Sequence, residues 1–137
     1  MQEKVLKIQM QYARTTAAVL GSKYSFIPLH RGSDGFMSIQ QFKVFYWPQL
    51  KSMLETLVDN GITPMVFYEG CWDKRLEHLA QLPKGKTVGY FQSSDIFKVK
   101  EVLGDTMCIM GGMPNSLLAA GPAEAVRART KEVCEVV

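Results

Sequence analysis

The chain has 137 residues, 47% of them hydrophobic, with 16 Lys and Arg against 13 Asp and Glu. That length suits one domain burying roughly 70% of its unfolded surface, and the apolar content excludes a disordered chain. The formal charge of +3 is spread without a basic stripe, which argues against nucleic acid as a partner.

Three widely spaced cysteines, Cys71, Cys108 and Cys134, do not make a disulfide framework. They suit reduced thiols and a cytoplasmic setting. No signal peptide is evident, and no apolar run approaches the ~20 residues that span a bilayer.

In chain order, residues 3–20 read as a helix with Val5, Ile8, Tyr12, Ala13 and Val19 near helical spacing. Gly21 is its natural stop. Tyr24 to His30 reads as a buried strand, and Arg31–Gly35 as a loop. Ser38 with Gln41 makes a capping box at the start of the clearest helix. Its apolar face is Phe42, Phe45, Tyr46, Leu50, Met53, Leu54 and Leu57. Pro48 should kink or divide it, and Asn60-Gly61 should end it in the left-handed conformation.

Thr63 to Tyr68 is the next strand, after which Asp73 is expected to cap a short helix with Leu76, Leu79 and Ala80 inward. Thr87–Phe91 is a third strand, followed by a helix capped by Ser94 or Asp95 and stopped by Gly104. Thr106–Gly112 is a fourth strand, and Pro122 opens a last helix. His78 reads as a solvated helix residue, and Cys108 and Cys134 as packing.

Helix, then strand–helix four times, implies an α/β fold with a parallel sheet. Either a doubly wound open sheet or half of a (β/α)8 barrel fits. Both place ligands at the C-terminal ends of the strands. Those ends are His30–Asp34, Tyr68–Asp73, Gln92–Asp95 and Gly111–Asn115.

The stretch "GFMSIQQFKVFYWPQLKSMLETLVDNGITPMVFYEG" and the stretch "DIFKVKEVLGDTMCIMGGMPNSLLAAGPAEAVRARTKEV" resemble the uroporphyrinogen decarboxylase superfamily. In order, the motifs are a Ser-led helix carrying Phe and Pro, a strand ending in ligands, a helix ending Leu-Gly-Asp, and a Leu-Leu helix near the end. The resemblance spans about residues 24–137. It implies a partial domain over 1–137, the C-terminal half of a (β/α)8 TIM barrel with about four βα units. The amino-terminal half, with the arginine-bearing segment and catalytic Asp, is expected to be absent. On that basis the isolated chain is expected to be inactive and to self-associate as a homo-oligomer.

The superfamily has two chemistries. Decarboxylases use neither metal nor cofactor. Corrinoid-dependent methyltransferases bind zinc through His-x-Cys and receive the corrinoid on a partner protein. Glu69-x-Cys71 falls near that motif, so the resemblance makes Glu69 and Cys71 candidate zinc ligands, with a further ligand beyond Val137. The substrate is then a tetrapyrrole or a methyl donor. The decarboxylases' Asp-Ser-Trp is replaced by Arg31-Gly32-Ser33, and no catalytic residue is assigned.

Candidate substrate-binding residues are His30, Arg31, Asp34, Tyr68, Glu69, Trp72, Gln92 and Asp95. Arg31 can clamp a carboxylate or make a surface pair. Asp34 can shape its loop, and Asp95 can cap its helix. Tyr68 and Trp72 can form an aromatic wall or pack the loop. A further reading is a small non-catalytic α/β ligand-binding protein, which a sheet covered on both faces would favour.

Overall fold

The computed structural model describes residues 2–137. Four strands form one parallel sheet: β1 (Tyr24–Leu29), β2 (Thr63–Tyr68), β3 (Val88–Phe91) and β4 (Cys108–Gly111). Their spatial order is β1-β2-β3-β4, the order of the chain. A doubly wound sheet reverses its strand order at a switch point. No reversal occurs here, so the fold is that of part of a (β/α)8 barrel.

Strand alternation separates two faces. Ile27, Leu29, Val66, Tyr68, Phe91 and Ile109 belong to the core, together with Leu50 and Leu54 and with Val99 and Leu103. Those four leucine and valine residues come from α3 (Trp47–Asp59) and α5 (Ile96–Leu103). The opposite face carries Phe26, Met65, Phe67, Val88, Tyr90 and Met110, which line an open apolar cavity of about 280 Å³. Helices therefore cover one face only, as on the outside of a barrel, and the small protein with both sheet faces covered is not what forms.

The long helix expected from Ser38 is divided. The capping box is present, with Ser38 Oγ accepting from Gln41 N–H and Gln41 Oε1 accepting from Ser38 N–H. After α2 (Ile39–Gln41) comes a π-helical turn, Phe42–Tyr46, before α3. Pro48, in the first turn of α3, is the cause: its ring would strike the carbonyl four residues back, and the wider turn relieves this. The extra residue rotates the apolar face. Phe45 turns out to solvent, while Trp47 turns into the core.

The exit of α3 follows expectation. Gly61 takes φ +73, its N–H donates to Val58 O and Ile62 N–H to Leu57 O, the paired bonds of a Schellman end.

Other expectations are corrected. On α1 (Gln2–Leu20), Ile8, Tyr12 and Val19 are exposed and build no core face; the Val5 side chain lies outside the described residues. Asp73 does not cap its helix. Its carboxylate accepts from Asp95 N–H, and a 3-10 turn, Asp73–Arg75, leads into α4 (Leu76–Leu79). The Leu-Leu segment and the last helix are separate, as α6 (Asn115–Ala120) and α7 (Ala123–Val136), with Pro122 at the N-cap of α7. Cys108 and Cys134 are exposed, not packed.

His78 is likewise not a solvated residue. Its ring meets Phe42 and Trp47 edge-on at 5.6 and 6.0 Å, and its buried Nδ1 has no partner. Burial lowers its pKa, helped by Lys43 and Arg75 and opposed by Glu77. The unfolded chain therefore holds this proton more tightly than the folded one. The neutral ring's contribution is complete above about pH 6.5 and is lost as the pH falls towards the lowered folded value. Urea midpoints measured at about pH 7.5 and about pH 5 should show lower stability in acid, and His78→Phe should narrow the gap.

Candidate functional site at the strand ends

Beyond the strand ends, the alternation continues for one residue. Leu29 lies beside Tyr68 in the register, which places His30 and Glu69 next to each other. His30 Nδ1 contacts Glu69 Oε2. Both side chains are open to solvent, 65% and 42% exposed. They stand above the inner-face row Pro28–Phe67–Tyr90–Met110. In that row the Phe67 and Tyr90 rings stack at 5.1 Å. Arg31 follows, exposed, with its guanidinium 5.6 Å from the Phe36 ring centroid.

The loop after β2 is fixed at several points. Gly70 takes φ +77, with Ser33 against its α-carbon. A side chain there would be strained and crowded. Gly70 N–H donates to Gln92 Oε1 at 3.1 Å, so Gln92 tethers the loop that presents Glu69. Trp72 N–H donates to Ser94 Oγ at 2.8 Å, and Trp72 Nε1–H to Glu69 O at 2.9 Å.

Tyr68 and Trp72 do not line the mouth. Both are fully buried, Tyr68 because its strand position has the outer parity. Their rings meet at 4.9 Å, and Phe42 and Tyr46 lie 6.0 and 6.2 Å from Trp72. Gly32 makes room for this packing. A β-carbon there would come within 2.3 Å of the indole. Burial pushes the Tyr46 phenol up to about 12. Tyr68 is raised further, by burial and then by Tyr46, and its hydroxyl has no partner.

Asp34 and Asp95 hold structure. Asp95 Oδ1 accepts from Phe97 and Lys98 N–H and caps α5. Asp34 pairs with Arg75, accepts from Lys74 N–H at 3.0 Å, and lies 3.7 Å from Cys71 Sγ. Arg75, 1% exposed, also donates to Met37 O at 2.7 Å and sits over the Phe42 ring at 4.8 Å. Burial lowers its pKa. In sequence Arg75 does not stand out, because a cation in "DKRLEHL" looks solvated.

The two residues expected to hold zinc are engaged separately here. Glu69 is engaged by His30, while Cys71 turns towards Asp34. The two proposed ligands have different partners on either side of Gly70. Among the described residues, no group of three or more His, Cys, Asp or Glu is placed to hold a metal. No helix there is long and apolar enough to cross a membrane.

No curated protein and no solved structure gives a significant match to the chain. The profile of the family described as uroporphyrinogen decarboxylase (URO-D) matches residues 3–137. With the sequential parallel sheet and its single helical layer, this establishes that the chain belongs to the uroporphyrinogen decarboxylase (URO-D) family.

Proposed function

We propose that the chain supplies part of the substrate-binding mouth of a barrel enzyme acting on a carboxylated tetrapyrrole, with metal-free decarboxylation as its chemistry. The observation that carries this reading is the His30–Glu69 pair standing over the stacked Phe67 and Tyr90 rings. A flat, largely apolar macrocycle suits the aromatic floor. Its carboxylates suit the Arg31 guanidinium and an N–H donor at His30 on the rim.

In this reading Glu69 holds His30 at Nδ1, which fixes the imidazole and leaves Nε2 as the atom that meets substrate. Loss of CO₂ leaves an electron pair on carbon, and that carbon must take a proton. A protonated imidazole at Nε2 can hold or deliver one. Arg31 binds a carboxylate and has no proton to give. The apolar inner face gives the ring a surface to pack against. Turnover needs every group of the mouth in register, so this chain's own contribution is read first as binding.

A uroporphyrin titration followed by fluorescence tests the reading. The chain should bind this octacarboxylate, and His30→Ala and Arg31→Ala should each weaken binding by about tenfold, roughly 1.4 kcal/mol. Both positions are exposed, so the fold should persist. Unchanged affinity in both variants would overturn the assignment.

A further inference from the structure

We propose that two copies of the chain close edge to edge, β4 of each against β1 of the other, into an eight-stranded barrel with one shared mouth. The inference rests on the sheet and its surfaces, not on the substrate.

The sheet is parallel and sequential, and among the described residues β1 and β4 each have one unpaired edge. An open edge of this kind is a template for another strand. Two-fold pairing of β4 with β1 makes two identical parallel seams and leaves no edge. Four strands from each copy give eight, the number at which a parallel barrel fills its interior with side chains.

The exposed apolar side chains are placed for that closure. Among the described residues, Ile8, Tyr12 and Val19 lie on α1, Tyr24 and Phe26 on β1, and Met110 on β4. The others follow β1 or β4 in the chain, and none lies on the elements from β2 to α5. The area is sufficient. A compact monomer of this mass exposes about 7,200 Å², whereas this chain exposes 8464 Å². The excess, roughly 1,300 Å², is more than the ~800 Å² that each partner buries in a standard interface.

The seam has a definite register. A barrel of eight strands and shear eight slips by about four residues over half a turn. The direction is already set in the sheet, because β3 first pairs at Met65, past the start of β2 at Thr63. Carried across the seam, the slip puts Met110 beside Tyr24 of the second copy and Cys108 beside its Ser22. Met110 and Tyr24 are both exposed in the single chain, and so is Cys108. Each copy would then bring a His30–Glu69 pair to the same mouth.

Sedimentation equilibrium of the chain at tens of micromolar tests the closure. The expected result is a discrete species near twice the 15.4 kDa chain mass, converted to monomer by Met110→Asp with the far-ultraviolet dichroism retained. Ser22→Cys, with Cys71 and Cys134 replaced by serine, tests the register. Neighbouring strands bring α-carbons within disulfide reach, so oxidation should give a covalent dimer through Cys108 that the same background without Ser22→Cys does not give. A monodisperse monomer or an open-ended series of larger species overturns the closure. A dimer that does not cross-link overturns the seam.

Discussion

Asp34→Ala is expected to destabilise the chain by about 3–5 kcal/mol, because it leaves the Arg75 guanidinium buried without its counter-charge. The Arg75 side chain is 1% exposed and that of Asp34 10%. The remaining partner, Met37 O, is a neutral carbonyl and cannot replace a carboxylate. The loss should appear as a lower urea midpoint with the slope unchanged. The double variant Asp34→Ala/Arg75→Met should recover most of it, since an apolar replacement removes the uncompensated charge. Recovery matters for the site, because this pair ties the loop after β1 to the loop after β2. A single variant that melts like the parent chain would mean that the pair holds nothing.

Trp72→Ala should cost a similar amount, about 3–5 kcal/mol, through the cavity left by a fully buried indole. Here the consequence reaches the mouth directly. The Trp72 Nε1–H bond to Glu69 O is lost, and Tyr46, Tyr68 and Gly32 lose the surface that they pack against. Trp72→Phe retains most of the packing but not the bond. It should lose less stability and still loosen Glu69, weakening uroporphyrin binding more than its stability change explains. Equal stability of Trp72→Ala and the parent would show that the indole is not the support under this loop.

The strands were legible in the sequence because each is a short apolar run closed by Gly, Asp or Ser. Ser38 and Asp95 were legible as caps because a cap is a local pattern. The same reading could not place side chains whose role depends on distant partners. Tyr68 reads as a mouth residue from its position at the end of β2, and only the parity of the strand turns it into the core. Trp72 reads as a wall residue until Gly32, forty residues earlier, is seen against its ring. Pro48 announces a break, but not that the break is a π-helical turn exchanging Phe45 for Trp47. His30 and Glu69 each stand out in sequence as separate candidates. Their pairing follows from the β1–β2 register, which the sequence does not state.

The proposed binding surface is the set of inner strand ends around His30 and Glu69. Amide chemical shifts followed during uroporphyrin addition test it most directly. The changes should concentrate at His30, Arg31, Glu69, Gly70 and Gln92, with Tyr90 below them, while α3 and α5 stay still. Changes centred on those outer helices, or none at saturating porphyrin, would contradict it.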